Sequence, residues 1–203
     1  MNYGPLLFLG VFLTVATSWC GLVLIPQLQF GRDQAVKLEE TGSFYPPVRP
    51  GLAEQGRGVY QANGCIYCHS QQVRPEGFGA DLARNWGPRR TVPRDYLHDK
   101  PVMLGTMRTG PDLTNIGLRQ TSGSWHLLHL YNPQITSRGS IMPPFRFLFE
   151  KRKIGAKPSP DALALPKEYA PEPGFEIVPQ REARNLVQYL LSLKANAPLP
   201  EAK

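Results

Sequence analysis

Asn63-Gly64-Cys65-Ile66-Tyr67-Cys68-His69-Ser70 is the stretch on which the reading of the whole chain turns. Two thiols three residues apart can each add across one vinyl group of a haem. The next residue, His69, then lies under the porphyrin with its imidazole on the iron. Cys65 and Cys68 are two of only three cysteines in the chain. A zinc knuckle needs four clustered nitrogen or sulfur ligands, and no second cysteine pair supplies them. A thioredoxin-like dithiol opens a helix after a strand, within an alternating β-α pattern that this sequence lacks. The motif predicts one haem c, bound through thioethers to Cys65 and Cys68.

Composition suits that reading. The 203 residues include 21 prolines and 19 glycines, so much of the chain must be loop. A small haem domain tolerates this, because a buried porphyrin replaces much of a side-chain core. The net charge of +7 is scattered among prolines and glycines, not arrayed on a helix with aromatics between. This argues against a nucleic-acid partner and for an acidic protein or a membrane surface.

Upstream, Leu6 to Ile25 is a nearly unbroken apolar run of twenty residues, the length of a bilayer-spanning helix. Pro26 and then Gly31-Arg32-Asp33 are expected to end it. No Lys or Arg precedes the run and no small-residue cleavage site follows, so an anchor is favoured over a signal peptide. Cys20 follows Trp19, where a lipoprotein site would want a small residue. Basic residues do not orient the helix clearly, since none precedes it and Arg32 and Lys37 follow. Haem c is attached on the outer side of the bacterial inner membrane. The N-terminus is therefore expected in the cytoplasm and the haem domain in the periplasm.

The expected organisation is a transmembrane anchor at 1–30, a juxtamembrane linker at 31–52 and a haem domain at 53–196. Phe30, Phe44 and Tyr45 could sit at the lipid headgroups. Ala53 to Gly64 reads as a helix leading into the motif. Its Gly56 and Gly58 cost helix stability and imply close approach of another backbone. The partner expected is the segment 180–194, where Leu186, Val187, Leu190, Leu191 and Leu193 fall at helical spacing. Ser122 to Tyr131 reads as a third helix, stopped by Asn132-Pro133. A first helix crossing a last one beside the haem is the frame of class I cytochromes c. The fold expected is mainly α, with loop insertions at 71–108 and 151–179. The first carries seven basic and four acidic residues and is expected to dock on a partner. The second is expected to run extended over the surface.

His69 is one axial ligand. Candidates for the second are Met103, Met107, Met142, His98, His126 and His129. Met142 is preferred, because Gly139-Ser140 before it and Pro143-Pro144 after it form a stiff turn. Packing is the plain reading for Met103 and Met107, and hydrogen bonding to propionates or backbone for His126 and His129. His69 also needs an acceptor for its second ring nitrogen. In class I cytochromes a T-G-P-x-L segment brings a proline carbonyl there, a role that falls to Pro111 in Thr109-Gly110-Pro111-Asp112-Leu113. Arg108, Arg74, Arg119, Trp125 and Tyr131 are candidate propionate donors.

Four blocks occur in order: G-C-I-Y-C-H-S-Q-Q-V-R-P (64–75), M-R-T-G-P-D-L (107–113), W-H-L-L-H-L-Y-N-P (125–133) and G-S-I-M-P (139–143). With the N-terminal anchor they resemble the monohaem cytochrome c subunit of cbb3-type haem–copper oxidases, the FixO/CcoO family. The resemblance implies an electron-transfer subunit with no catalytic centre of its own. It would sit beside a catalytic haem–copper subunit that reduces oxygen to water. Electrons would come from a dihaem cytochrome c subunit or a soluble cytochrome c. The resemblance also carries the thioether cysteines to Cys65 and Cys68 and the axial ligands to His69 and Met142. The segments 76–106 and 151–179 depart from the family pattern. Two further readings remain: an anchored cytochrome shuttle, or the cytochrome subunit of a nitric oxide reductase-like enzyme, and a haem-based gas sensor with an open iron position.

Overall fold

Apolar side chains without charges drive the first element. In the computed structural model, which describes residues 2–202, Gly4–Phe30 is helical throughout and long and apolar enough to cross a membrane. Its 27 residues span about 40 Å at 1.5 Å each. Pro26 does not end it. Proline lacks an N–H and crowds the carbonyl one turn back. Between α1 (Gly4–Trp19) and α2 (Ile25–Phe30) the helix widens at Cys20–Leu24 into a π turn, in which the Ile25 N–H donates to the Cys20 carbonyl. This bulge accommodates the ring, and the helix stops at Gly31.

Two compact units are present: the chain up to Pro47 together with Val92–His98, and Val48–Thr91 together with the chain from Asp99 onward. In the first, the segment expected to be a linker is ordered. Short strands β1 (Val36–Lys37) and β2 (Phe44–Tyr45) pair antiparallel. Tyr45 is buried rather than facing lipid, and its hydroxyl donates to Asp95 at 2.6 Å. Arg94 donates to the Gln34 carbonyl and lies 3.5 Å from Asp33. Residues 92–98, expected within an insertion of the haem domain, therefore belong with the N-terminal segment.

The second unit is built on α3 (Gly51–Ala62) crossing α6 (Arg181–Ser192). On α3 the buried residues are Ala53, Gly56, Arg57 and Tyr60, a stripe with i, i+3, i+4, i+7 spacing. It meets Asn185 and Tyr189 of α6, where the Tyr60 and Tyr189 rings sit edge to face at 5.3 Å. A Cβ on Gly56 would collide with the Asn185 carbonyl, whereas one on Gly58 would meet nothing. Close backbone approach thus explains Gly56 but not Gly58. Two short helices, α4 (Ile116–Arg119) and α5 (Gly123–Tyr131), complete the helical set. The Ser122 hydroxyl caps α5 by accepting from the Trp125 N–H at 3.2 Å. Beyond α6 the chain runs extended, with Leu193, Ala195, Ala197 and Leu199 buried in alternation.

Neither insertion is a loose loop. Asp81 has no exposed surface and accepts from the Arg74 backbone N–H at 2.9 Å, the Arg74 Nη2 at 3.0 Å and the Arg108 Nη1 at 2.5 Å. Burial alone would raise the Asp81 pKa, but these bonds outweigh it and hold the carboxyl well below the ordinary range. Arg84 and Arg108 also lie over the Trp86 ring. Arg89 donates to the Ala197 carbonyl at 2.6 Å, tying this segment to the C-terminal tail. Arg74, Arg89 and Arg108 of 71–108, the segment expected to dock on a partner, thus also serve bonds within the fold. In the other insertion, β3 (Phe149–Lys153) pairs antiparallel with β4 (Phe175–Pro179), where an extended surface run was expected. Ile177 and Val178 are buried, and Glu176 binds Arg152 at 2.9 Å.

The two glycines of α3 should respond oppositely in denaturation of the detergent-solubilised chain. Gly56→Ala should cost about 3 kcal/mol through overpacking. Gly58→Ala should gain up to about 1 kcal/mol from helix propensity. Asp81→Asn should cost about 3 kcal/mol at neutral pH, because it leaves two guanidinium groups facing a neutral amide. A depressed folded-state pKa stabilises above the unfolded carboxyl value, about 3.9, and that stability fades as pH falls below it. The wild-type protein should therefore lose stability below about pH 4, and the Asp81→Asn variant should lose less.

Candidate functional site

The motif sits where α3 ends. Asn63 turns its side chain back, its Nδ2 donating to the Val59 carbonyl at 2.8 Å. Gly64 takes the left-handed conformation, φ +67°, which a glycine adopts at no steric cost. One 3₁₀ turn, Cys65–Tyr67, follows, closed by the Cys68 N–H donating to the Cys65 carbonyl at 3.2 Å, and the His69 N–H donates to the same carbonyl at 3.0 Å. Both thiols and the imidazole therefore leave a single turn. Cys65 is half-buried and Cys68 exposed, and neither is in a disulfide. Burial pushes the Cys65 thiol up to about 11.

His69 is oriented from the opposite side by residues 109–113. Its Nδ1–H donates to the Pro111 carbonyl at 2.7 Å. A carbonyl can only accept, so this bond places the proton on Nδ1 and leaves the Nε2 lone pair free. Burial lowers the His69 pKa, and the bond to Pro111 only partly offsets this, favouring the neutral ring. Gly110 lies against the imidazole so closely that a Cβ there would overlap the ring. Gly105, at φ +83°, packs likewise on the His69 carbonyl.

A buried carboxylate fastens these segments together. Asp112 has no exposed surface and accepts from the Ser70 hydroxyl at 2.7 Å, the Gln72 N–H at 2.7 Å and the Thr114 N–H at 2.8 Å. The Gly110 N–H donates to the Cys68 carbonyl at 2.9 Å, and the Leu113 N–H to the Ser70 carbonyl at 2.8 Å. Sequence reasoning singled out Pro111 and missed Asp112, Gly110 and Gly105. The Asp112-Leu113-Thr114 Asx turn was a readable signal. The long-range bonds to Ser70 and Gln72 were not.

The remaining candidates divide. Met142 is half-buried and packs on the same apolar cluster as Cys65 and Ile66. Met103 is a member of that core, whereas Met107 is exposed. His98 lies in the N-terminal unit, near the Pro46 carbonyl. His126 Nε2 is 2.9 Å from the Gln120 carbonyl, and His129 Nδ1 is 2.6 Å from the Thr136 hydroxyl. Burial chiefly, with the neighbouring His69 and His126, lowers the His129 pKa to about 4. Trp125 stacks on His129 at 4.7 Å. Arg108, a candidate propionate donor, holds Asp81 and the Gln72 carbonyl, and Arg74 shares Asp81. Arg119 binds the Asp112 carbonyl. Tyr131 is buried against Phe149.

Among the described residues no group of three or more His, Cys, Asp or Glu could hold a bare metal ion. Two thiols on one turn with an imidazole whose Nε2 is free suit a porphyrin iron, whose four equatorial donors come from the ring. A protein-family model described as cytochrome c oxidase, mono-haem subunit/FixO matches residues 4–167. The chain belongs to this FixO family of mono-haem cytochrome c oxidase subunits. Comparison with curated proteins finds no match. Membership supports a haem-bearing electron-transfer subunit, and the apolar N-terminal helix suits a membrane-anchored one. The match stops at 167, before β4 and α6, although α6 supplies much of the core of this FixO chain.

Gly110→Ala should drive the His69 ring off the Pro111 carbonyl. The expected outcome is at least a tenfold drop in haem per purified chain, read from the haem-to-protein absorbance ratio. Unchanged haem content would show that the loop yields to the added methyl.

Proposed function

We propose that this FixO subunit passes electrons to a haem–copper catalytic subunit that reduces oxygen to water. The observation that carries the reading is the single turn bearing Cys65, Cys68 and an imidazole fixed by Pro111. When bound, the haem supplies a one-electron iron couple. Cys65 and Cys68 would hold it through thioethers, and His69 Nε2 would ligate its iron. The Met142 thioether would be the second ligand, and a thioether with an imidazole would raise the reduction potential, as suits donation to a strong oxidant. Pro111 keeps the His69 tautomer, and Asp112 keeps Pro111 in register with the motif. Trp125, on α5 beside His126 and His129, remains the candidate donor to a propionate. Arg108, bound to Asp81, acts through the fold.

The anchor crosses the bacterial inner membrane once, with the N-terminus in the cytoplasm and the haem domain in the periplasm. The donor is a dihaem subunit or a soluble cytochrome c.

Purification of the tagged protein from its own membranes in mild detergent tests this function. A polytopic chain carrying haem b and copper should copurify, with cyanide-sensitive oxygen uptake from a reduced cytochrome. A lone haem protein without oxygen uptake, obtained also after crosslinking before solubilisation, would instead support an anchored shuttle. Attachment is tested separately. Acidified acetone should leave haem on the wild-type chain and strip any retained by a Cys65→Ala, Cys68→Ala double variant.

A further inference from the structure

Between α5 and β3 the chain makes a closed loop, Asn132 to Phe145, and Met142 stands near its end. Its base is fixed by the Phe145 N–H, which donates to the Leu130 carbonyl at 2.8 Å. Asn132 starts it, its Oδ1 accepting from the Gln134 N–H at 3.1 Å. A 3₁₀ turn over Pro133–Ile135 follows, extended by the Ser137 N–H to the Pro133 carbonyl at 2.9 Å. The chain then reverses at Gly139, φ +81°. Ser140 Oγ accepts from the Met142 N–H at 3.2 Å.

One side chain spans that reversal. Gln134 Oε1 accepts from the Gly139 N–H at 2.8 Å, and its Nε2 donates to the Ser140 carbonyl. Both ends of one amide are thus bonded to the peptide groups on either side of Gly139-Ser140, just before Met142. Gln134 is exposed, so it is not there to fill a core. Its side-chain partners are the backbone of the loop itself.

We infer that Gln134 is a positioning residue for Met142, an inference that rests on Met142 being the second iron ligand. A thioether is a weak ligand on a flexible side chain, and it holds best when the backbone that presents it is already ordered. Gln134 lowers the ordering cost by closing the reversal before ligation. That is preorganisation of the loop, not a contact with the iron. The far side of the loop is held independently, by the Thr136 hydroxyl against His129, whose ring is stacked on Trp125. Loss of Gln134 should therefore loosen 139–142 without unfolding the domain.

The test uses the full-length, haem-loaded ferric chain in detergent, with imidazole as the competing ligand. Gln134→Leu should retain covalent haem and the wild-type melting temperature. It should weaken the far-red thioether–iron band and lower the apparent imidazole dissociation constant about tenfold, equivalent to about 1.4 kcal/mol in the Met-on equilibrium. Gln134→Glu keeps the acceptor for the Gly139 N–H but offers no donor to Ser140, so it should fall between the two. Met142→Leu should abolish the band altogether. If Met142→Leu abolishes the band while Gln134→Leu keeps both the band and the wild-type imidazole affinity, the positioning role is overturned and the ligand assignment stands. If the band survives Met142→Leu, the ligand assignment fails and the inference fails with it.

Discussion

The hydrogen bond from His69 Nδ1 to the Pro111 carbonyl is the constraint around which the haem domain is arranged. It fixes a ring orientation and a tautomer together, and it does so with a backbone atom that cannot itself change protonation. A carbonyl reaches an imidazole at 2.7 Å only if nothing protrudes between the two chain segments. Gly110 meets that need beside the ring, and Gly105 meets it beside the His69 carbonyl. Asp112 then locks the registration through Ser70 and Gln72. Its carboxylate has no exposed surface, so each bond it accepts offsets a desolvation that would otherwise oppose folding.

The same logic runs outward. Residues 71–108 leave the motif, wander, and return at Arg108, and a buried carboxylate again closes the path. Arg74 and Arg108 stand at the two ends of that excursion, and both bind Asp81. The excursion is cross-linked electrostatically at its neck, so it can be rich in glycine and proline without disordering the peptide groups on His69. Arg89 and Asn115 extend the network to the C-terminal tail. Positive charge in this segment is a structural adhesive, and its count says little about what the surface attracts.

Local signals were readable where they were local. The C-x-x-C-H turn, the apolar anchor, the Ser122 cap and the Gly56 crossing all follow from residues within a few positions of one another, or from a periodic stripe. What escaped the sequence depends on pairing across distance. The strand Phe149–Lys153 is written F-E-K-R-K, which reads as a solvated charge run. It becomes a strand because Ile177 and Val178, twenty-odd residues on, bury their side chains and bring Glu176 to Arg152. Pro26 misled for the opposite reason: a π turn placed just before it absorbs the ring, and nothing in the composition announces that turn. Arg108 reads as an anion donor in the sequence, and the structure gives it an anion within the chain. Its carboxylate partner lies twenty-seven positions away.

The extent of the family match carries a structural consequence. It ends at residue 167, yet Leu186, Tyr189 and Leu190 of α6 are part of the core on which Cys65 and Met142 rest. The C-terminal helix is required by packing, whatever its sequence. A helix here brings the Asn185 backbone against Gly56, an aromatic against Tyr60, and apolar residues against α4 and α5. Many sequences satisfy those demands, whereas the turn holding two thiols and an imidazole admits few. The segment outside the match thus closes the core over the matched part and ties into it, through the Tyr189 hydroxyl to Gln71 and the Ala195 N–H to Asn115.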